Sequence, residues 1–331
     1  MSALRGLRLT AASLALGALA LAAPASAAPG DHTAVMPVIH VMGILNGANG
    51  DGNGNGASKH GGGSSTSNMY YHGGTSDGSA GTIGVETTPK VYLVFWGSQW
   101  TGNDPSGEAS ILEKFFGAVG GSHWNNTVTQ YCQGIASGSS NCTGAFSFAG
   151  NQLGVYVNSW YDNGAAAPSH PSQSQLAAEA VNAANHFGNT GVGSNASAQY
   201  VIATATGNSS SGFGTRYCAW HSSTTTTSAG DVAYTNLPYI TDAGTSCGAN
   251  FLNSSGVSLG PDAGITIVGG HEFAETETDQ FPSTGWTDGS GYEIGDKCAW
   301  NSLTSDQSLN GTTFPVQPLW SNATSNCVLS Y

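Results

Sequence analysis

His271 is followed at once by one glutamate, Glu272, and four positions later by another, Glu275. Wound as a helix, His271 and Glu275 share a face, with side-chain roots about 5–6 Å apart. An imidazole nitrogen and a carboxylate oxygen so placed can grip one metal ion, since zinc takes both at roughly 2 Å. Glu272 falls about 100° round the helix, where a carboxylate can act as general base on water at that metal without being a ligand. The spacing is that of the His-Glu-x-x-His metallopeptidase motif with glutamate in place of the second histidine.

A catalytic zinc needs a third protein ligand and an open position. Seven of the chain's twenty carboxylates lie between His271 and Asp296, and no Lys or Arg occurs from Tyr217 to Asp296. Asp279 shares the helical face, but eight residues of helix rise about 12 Å, so it serves only if the helix ends early. Asp296 and then Glu293, on a glycine-rich return loop that can fold back beside the helix, are the preferred third ligands. A competing arrangement places Asp279, Asp288, Glu293 and Asp296 around calcium, which favours hard oxygen donors. His221 is an auxiliary candidate for stabilising an oxyanion, and His72 has weaker claims.

The elements that must position these groups read as an α/β (α+β) single domain with a mixed sheet, packed helices and a zincin-like active-site helix. Lys90–Gly97, rich in β-branched and aromatic residues and closed by glycine, predicts a buried strand. Further strands are expected over 154–161, 198–205 and 231–240. Apolar residues at helical spacing predict helices over 105–117 and 172–187. The motif helix runs from an Asp262 cap to a stop at Gln280-Phe281-Pro282, because proline disfavours helix at the residue before it. Gly264, Gly269 and Gly270 within it count against a helix unless they serve close backbone approach to a sheet.

Residues 1–28 have the form of an export signal: Arg5 and Arg8, an apolar run from Leu9 to Leu21, then Ala25-Ser26-Ala27. Residues 29–68, glycine-, serine- and asparagine-rich, read as a flexible leader, and His32, His40 and His60 within it as non-ligands. Residues 69–331 form the metallopeptidase-like domain. An even six cysteines in an exported chain predict disulfides, and consecutive pairing closes the shortest loops: Cys132–Cys142, Cys218–Cys247 and Cys298–Cys327. Without the signal, five basic residues face twenty acidic ones, a formal charge of −15 that argues against nucleic acid as a partner. No segment is long and apolar enough for a membrane span.

Three segments together resemble the phosphate-induced, exordium-like family of secreted proteins and its bacterial relatives. They are Tyr70-Tyr-His-Gly-Gly74, Val91-Tyr-Leu-Val-Phe-Trp-Gly97, and His271-Glu-Phe-Ala-Glu-Thr-Glu-Thr-Asp279 followed by Glu293-Ile-Gly-Asp-Lys-Cys298. The resemblance spans about residues 68–331, implies secretion, and carries over His271, Glu272, Glu275, Glu293, Asp296 and Cys298 as motif positions. Asp279 matches a position that the family fills with Asp or Asn, and Gln280 stands where proline is usual. The residues themselves lead to a secreted, zinc-dependent endopeptidase acting on a protein or peptide, with Glu272 as base and His271, Glu275 and Asp296 or Glu293 as ligands. The rival expectation is a non-catalytic extracellular or wall-associated protein with a structural metal, in which tryptophans could stack on sugars, though most of the eight read more simply as core aromatics.

Overall fold

Seven strands make the central sheet: β1 Ile39–Gly43, β2 Ala57–Ser58, β3 Lys90–Trp96, β4 Tyr156–Asp162, β5 Ala198–Thr204, β6 Tyr217–Thr226 and β7 Gly230–Leu237. Their spatial order is β2-β1-β6-β7-β5-β3-β4. Strand β6 runs antiparallel to both neighbours, and the other pairings are parallel, so the sheet is mixed. The computed structural model describes residues 39–45, 57–58, 67–76, 81–227 and 229–331, which fall in one compact unit, Met36–Tyr331. The expected export signal, His32 and His60 lie outside the described residues.

Period-two alternation gives each sheet face its own core. On β3 and β5, Val91, Leu93, Phe95, Val201 and Ala203 point to one side, while Tyr92, Val94, Tyr200 and Ile202 point to the other. Helix α2, Gln173–His186, covers the second side with Leu176, Ala180, Ala183 and Ala184. Its start is fixed by a capping box in which Ser172 and Gln175 bond each other's backbone amides. Helices α1, Glu108–Val119, and α3, Ala263–Thr278, cover the first side. Helix α1 starts three residues later than the apolar spacing suggests, because Asp104 takes the Glu108 and Ala109 amides. The mixed α/β architecture thus follows the expected strands and helices closely.

Helix α3 is unusual in being buried on every side, all sixteen residues included. It lies between the sheet, α1, the helical turns at Ile240–Cys247 and a C-terminal hairpin of β8, Ser305–Leu309, and β9, Thr312–Val316. Its glycines admit these neighbours, though not the sheet: a Cβ at Gly264 would strike the Cys247 carbonyl, and one at Gly270 would crowd Phe115 and Trp124. Asp262 occupies the N-cap position, but its side chain makes no capping bond, contrary to expectation.

Two of the longer strands of the central sheet escape the sequence reading. Strand β6, the longest of the sheet's strands at ten residues, ends in Ser-Ser-Thr-Thr-Thr and looks like a loop. Strand β1 corrects the expectation of a flexible leader: Ile39–Gly43 pairs with β6, with His40 opposite His221 and Met42 opposite Ala219. Its sequence alternates, so Ile39 and Val41 join the α2-side core while Met42 packs toward α3.

The cysteines pair as Cys132–Cys142, Cys218–Cys247 and Cys298–Cys327. No helix among the described residues is long and apolar enough to cross a membrane. Five of the eight tryptophans, at 100, 124, 220, 286 and 320, are buried, so sugar stacking is closed to them. Of the others, Trp160 stacks on His186 and Trp300 donates to the Gly43 carbonyl.

Candidate metal centre

One turn of α3 carries His271 and Glu275 on the same side, with Nε2 and Oε1 3.0 Å apart. The return loop brings Asp296 to this pair, its Oδ1 3.7 Å from His271 Nε2 and its amide donating to Glu275 Oε1 at 2.9 Å. Two donors each about 2 Å from one ion at a tetrahedral angle lie about 3.3 Å apart. The observed separations bracket that value. His271, Glu275 and Asp296 each offer a donor atom within 4.8 Å of the other two.

The loop approaches this closely because residue 295 is glycine: a Cβ there would stand 2.7 Å from His271 Nδ1 and 2.9 Å from Glu275 Oε1. It is held by the Cys298–Cys327 disulfide and by the Trp320 amide, which donates to the Ile294 carbonyl. Lys297 lies over the Trp320 ring and pairs with Asp288 at 2.9 Å.

Gln317 fixes the His271 tautomer. Its amide nitrogen donates to the Gly295 and Pro318 carbonyls, so its oxygen accepts from His271 Nδ1–H at 3.1 Å. In the neutral ring the Nε2 lone pair then faces two carboxylates. Although Glu275 is near, no hydrogen bond of acceptable alignment reaches Nε2, and Glu275 Oε2 has no partner either. A ring nitrogen anchored from behind and aimed at converging oxygens has the form of a metal ligand with its outer-shell support.

Glu272 points to the same region. It is 1 % exposed, and neither carboxylate oxygen has a well-aligned hydrogen-bond partner, the Met42 backbone being the neighbour that favours its charge. An unpartnered buried carboxylate is costly, and the group responds by holding its proton. Burial, and next the charge of Glu275, push its pKa well above the ordinary range; His221 and the Met42 backbone pull the other way without reversing this. Glu272, Glu275 and His221 offer donor atoms within 4.8 Å of one another.

Behind this group stands another. Glu293 Oε2 lies 2.6 Å from His40 Nδ1 and 3.1 Å from His221 Nε2. Burial opposes charge on both rings, yet Glu293 outweighs it and each pKa is pushed up to about 9. His271 is likewise pushed up to about 9, burial again opposed by Glu275 and Asp296. Glu293 is held well below its usual range: burial works against it, and the two histidines prevail.

The sequence-nominated residues therefore divide. His271, Glu272, Glu275, Asp296, Glu293 and His221 come together. Asp279 does not join them as a ligand: it ends the helix and accepts the Ser283, Thr284 and Gly285 amides. Asp288 is taken by Lys297 and by the loop amides of Ser290 and Tyr292. The four-carboxylate calcium arrangement is thus not assembled among the described residues. His221 is not poised for an oxyanion, because both ring nitrogens are engaged, by Thr276 and Glu293. His72 bonds Thr287 and lies outside the cluster. His40, read from the sequence as a non-ligand, is delivered by β1 to Glu293, within a group that could hold a metal ion. Alternation through Ile39-His40-Val41-Met42 was the available signal, masked by the glycine-rich sequence after it. Neither protein-family models, curated proteins nor solved structures yield a match to this chain.

Proposed function

We propose that this chain is a secreted, metal-dependent endopeptidase, with zinc as the preferred ion on a zincin-like helix. His271, Glu275 and Asp296 would hold the ion, whose charge would bring Glu272 to its ionised form, and Glu272 would then be the general base. One observation carries the reading: a fully buried Glu272, neither oxygen in a well-aligned hydrogen bond, beside three converging metal-type donors. Hydrolysis needs a carboxylate that can take a proton from water and return it to the leaving amine. The ion's contribution would be Lewis acidity toward a carbonyl and toward water. Three disulfides suit an oxidising, extracellular setting. The resemblance to exordium-like secreted proteins points the same way.

Complete burial favours a second reading, a structural metal in a non-catalytic extracellular protein, because no peptide reaches groups about 1 % exposed. On the peptidase reading the cover must move, and β1 is the element suited to do so. It places Met42 near Glu272 and is joined to the rest by a segment rich in glycine. The deciding experiment measures zinc content and casein hydrolysis for the chain from residue 29, for one lacking residues 29–45, and for Glu272→Gln in each. The enzyme reading expects hydrolysis from the shortened chain. It also expects a fall of about 10²–10⁴-fold in Glu272→Gln with zinc retained. Zinc without hydrolysis in every form would leave the structural reading standing.

A further inference from the structure

The cluster holds more acid than one divalent ion can balance. Glu272, Glu275, Glu293 and Asp296 are all buried, and the imidazoles of His40, His221 and His271 lie against this group. Two divalent cations would neutralise four carboxylates with every histidine uncharged. One would leave two negative charges to be met by protons.

The second seat has its own geometry. The Thr276 hydroxyl has a single proton, which goes to the Glu272 carbonyl at 2.7 Å. Its contact with His221 Nδ1 at 3.1 Å must therefore be one in which the ring donates. The neutral ring then has its lone pair on Nε2, facing Glu293 Oε2 at 3.1 Å. Two lone pairs face each other there, which is unfavourable unless a proton or a cation lies between them. His40 brings a third donor to the same oxygen through Nδ1, while its Nε2 lies 3.2 Å from the Ser283 hydroxyl. Glu293 Oε1, buried in the same place, has no partner. Each histidine of the cluster thus has its outer nitrogen on a side-chain oxygen and its inner nitrogen toward carboxylate, the pattern of metal-binding imidazoles.

We propose that His40, His221 and Glu293 form a second divalent-cation site, adjoining the first and closed by the N-terminal strand. The donor atoms lie within 4.8 Å of one another, and two nitrogens with one carboxylate oxygen suit zinc or a similar ion. Seating it widens the 2.6 Å His40–Glu293 contact by roughly 0.7 Å toward tetrahedral spacing. Strand β1 has a register irregularity at Met42–Gly43 and, among the described residues, the two-residue β2 outside it. The cation would clamp this strand over Glu272. The site stands whether or not the first one performs hydrolysis.

The test is Co²⁺ titration and zinc analysis of the chain from residue 29, beside His40→Ala, His40→Gln and Glu275→Gln. The expected result is two equivalents in the parent, one in both His40 variants, and a remaining equivalent in them that Glu275→Gln weakens at least tenfold. Far-UV circular dichroism and three intact disulfides check the fold, and the conservative His40→Gln guards against strand loss. Cleavage after residue 45 by an added protease should quicken in the His40 variants. One equivalent in the parent, untouched at His40 but lost with Glu275→Gln, overturns the second site and leaves the first. Two equivalents surviving both His40 variants also overturn it, and none in the parent removes both sites.

Discussion

Thr276 does two tasks with one hydroxyl, capping the Glu272 carbonyl and orienting His221. Thr276→Val keeps the volume and the helix while removing the oxygen that accepts from the ring. His221 would then lose its tautomer preference, and the second equivalent of Co²⁺ is expected to bind about 10–100-fold more weakly. The first equivalent, anchored through Gln317, should be unchanged, so a two-phase titration separates them. At this scale the sequence was most legible where spacing alone carries chemistry: His271, Glu272 and Glu275 need only a helix to be brought together. Asp296 required a guess about a loop's return. Gln317 and Thr276 carried no signal, because an amide or a hydroxyl acquires its role only from the neighbours that folding supplies. Asp279 misled for a related reason, its acidity being spent on three backbone amides at the helix end.

Among the elements, α1 shows that buried acid in this fold is not confined to the candidate metal centre. Glu108 is wholly buried at its first turn, both oxygens accepting the Ile240 amide. Burial first, opposed by backbone amides, pushes its pKa up from 4.5 to about 8. The folded chain therefore binds this proton over a pH range in which the unfolded chain has lost it. Stability from this group is complete below about pH 4.5 and falls as pH rises through about 8. Glu108→Gln removes the titration, so the melting temperatures of variant and parent should diverge between pH 5 and pH 9, the variant gaining. The underlying term is about 3–5 kcal/mol. Parallel melting curves across that range would refute it. The main elements were legible because their periods are clean: alternation in β3 and β5, helical spacing in α1 and α2. Strand β6 was not, since Ser and Thr satisfy either a strand or a loop, and only pairing with β1 and β7 decides between them.

For the molecule as a whole, the return loop links the metal question to stability. Cys298–Cys327 closes a 29-residue separation, which constrains the unfolded chain by about 3–4 kcal/mol. It also keeps Asp296 and Glu293 beside α3 whether or not an ion is present. Chelation should therefore leave the fold intact but cost the binding energy that a cation adds to it. At a free-ion concentration of a thousand times the dissociation constant that energy is about 4 kcal/mol. A chain of this size shifts by roughly 2–4 °C per kcal/mol. Calorimetry with and without a strong chelator should accordingly show a fall in melting temperature on the order of 10 °C, reversed by added Zn²⁺ and unaffected by added Mg²⁺. The preference follows from the donors: three imidazole nitrogens are poor partners for a cation that retains its water. A melting temperature indifferent to chelator would mean that protons rather than ions hold the buried carboxylates together, and that the acidic helix is structural alone.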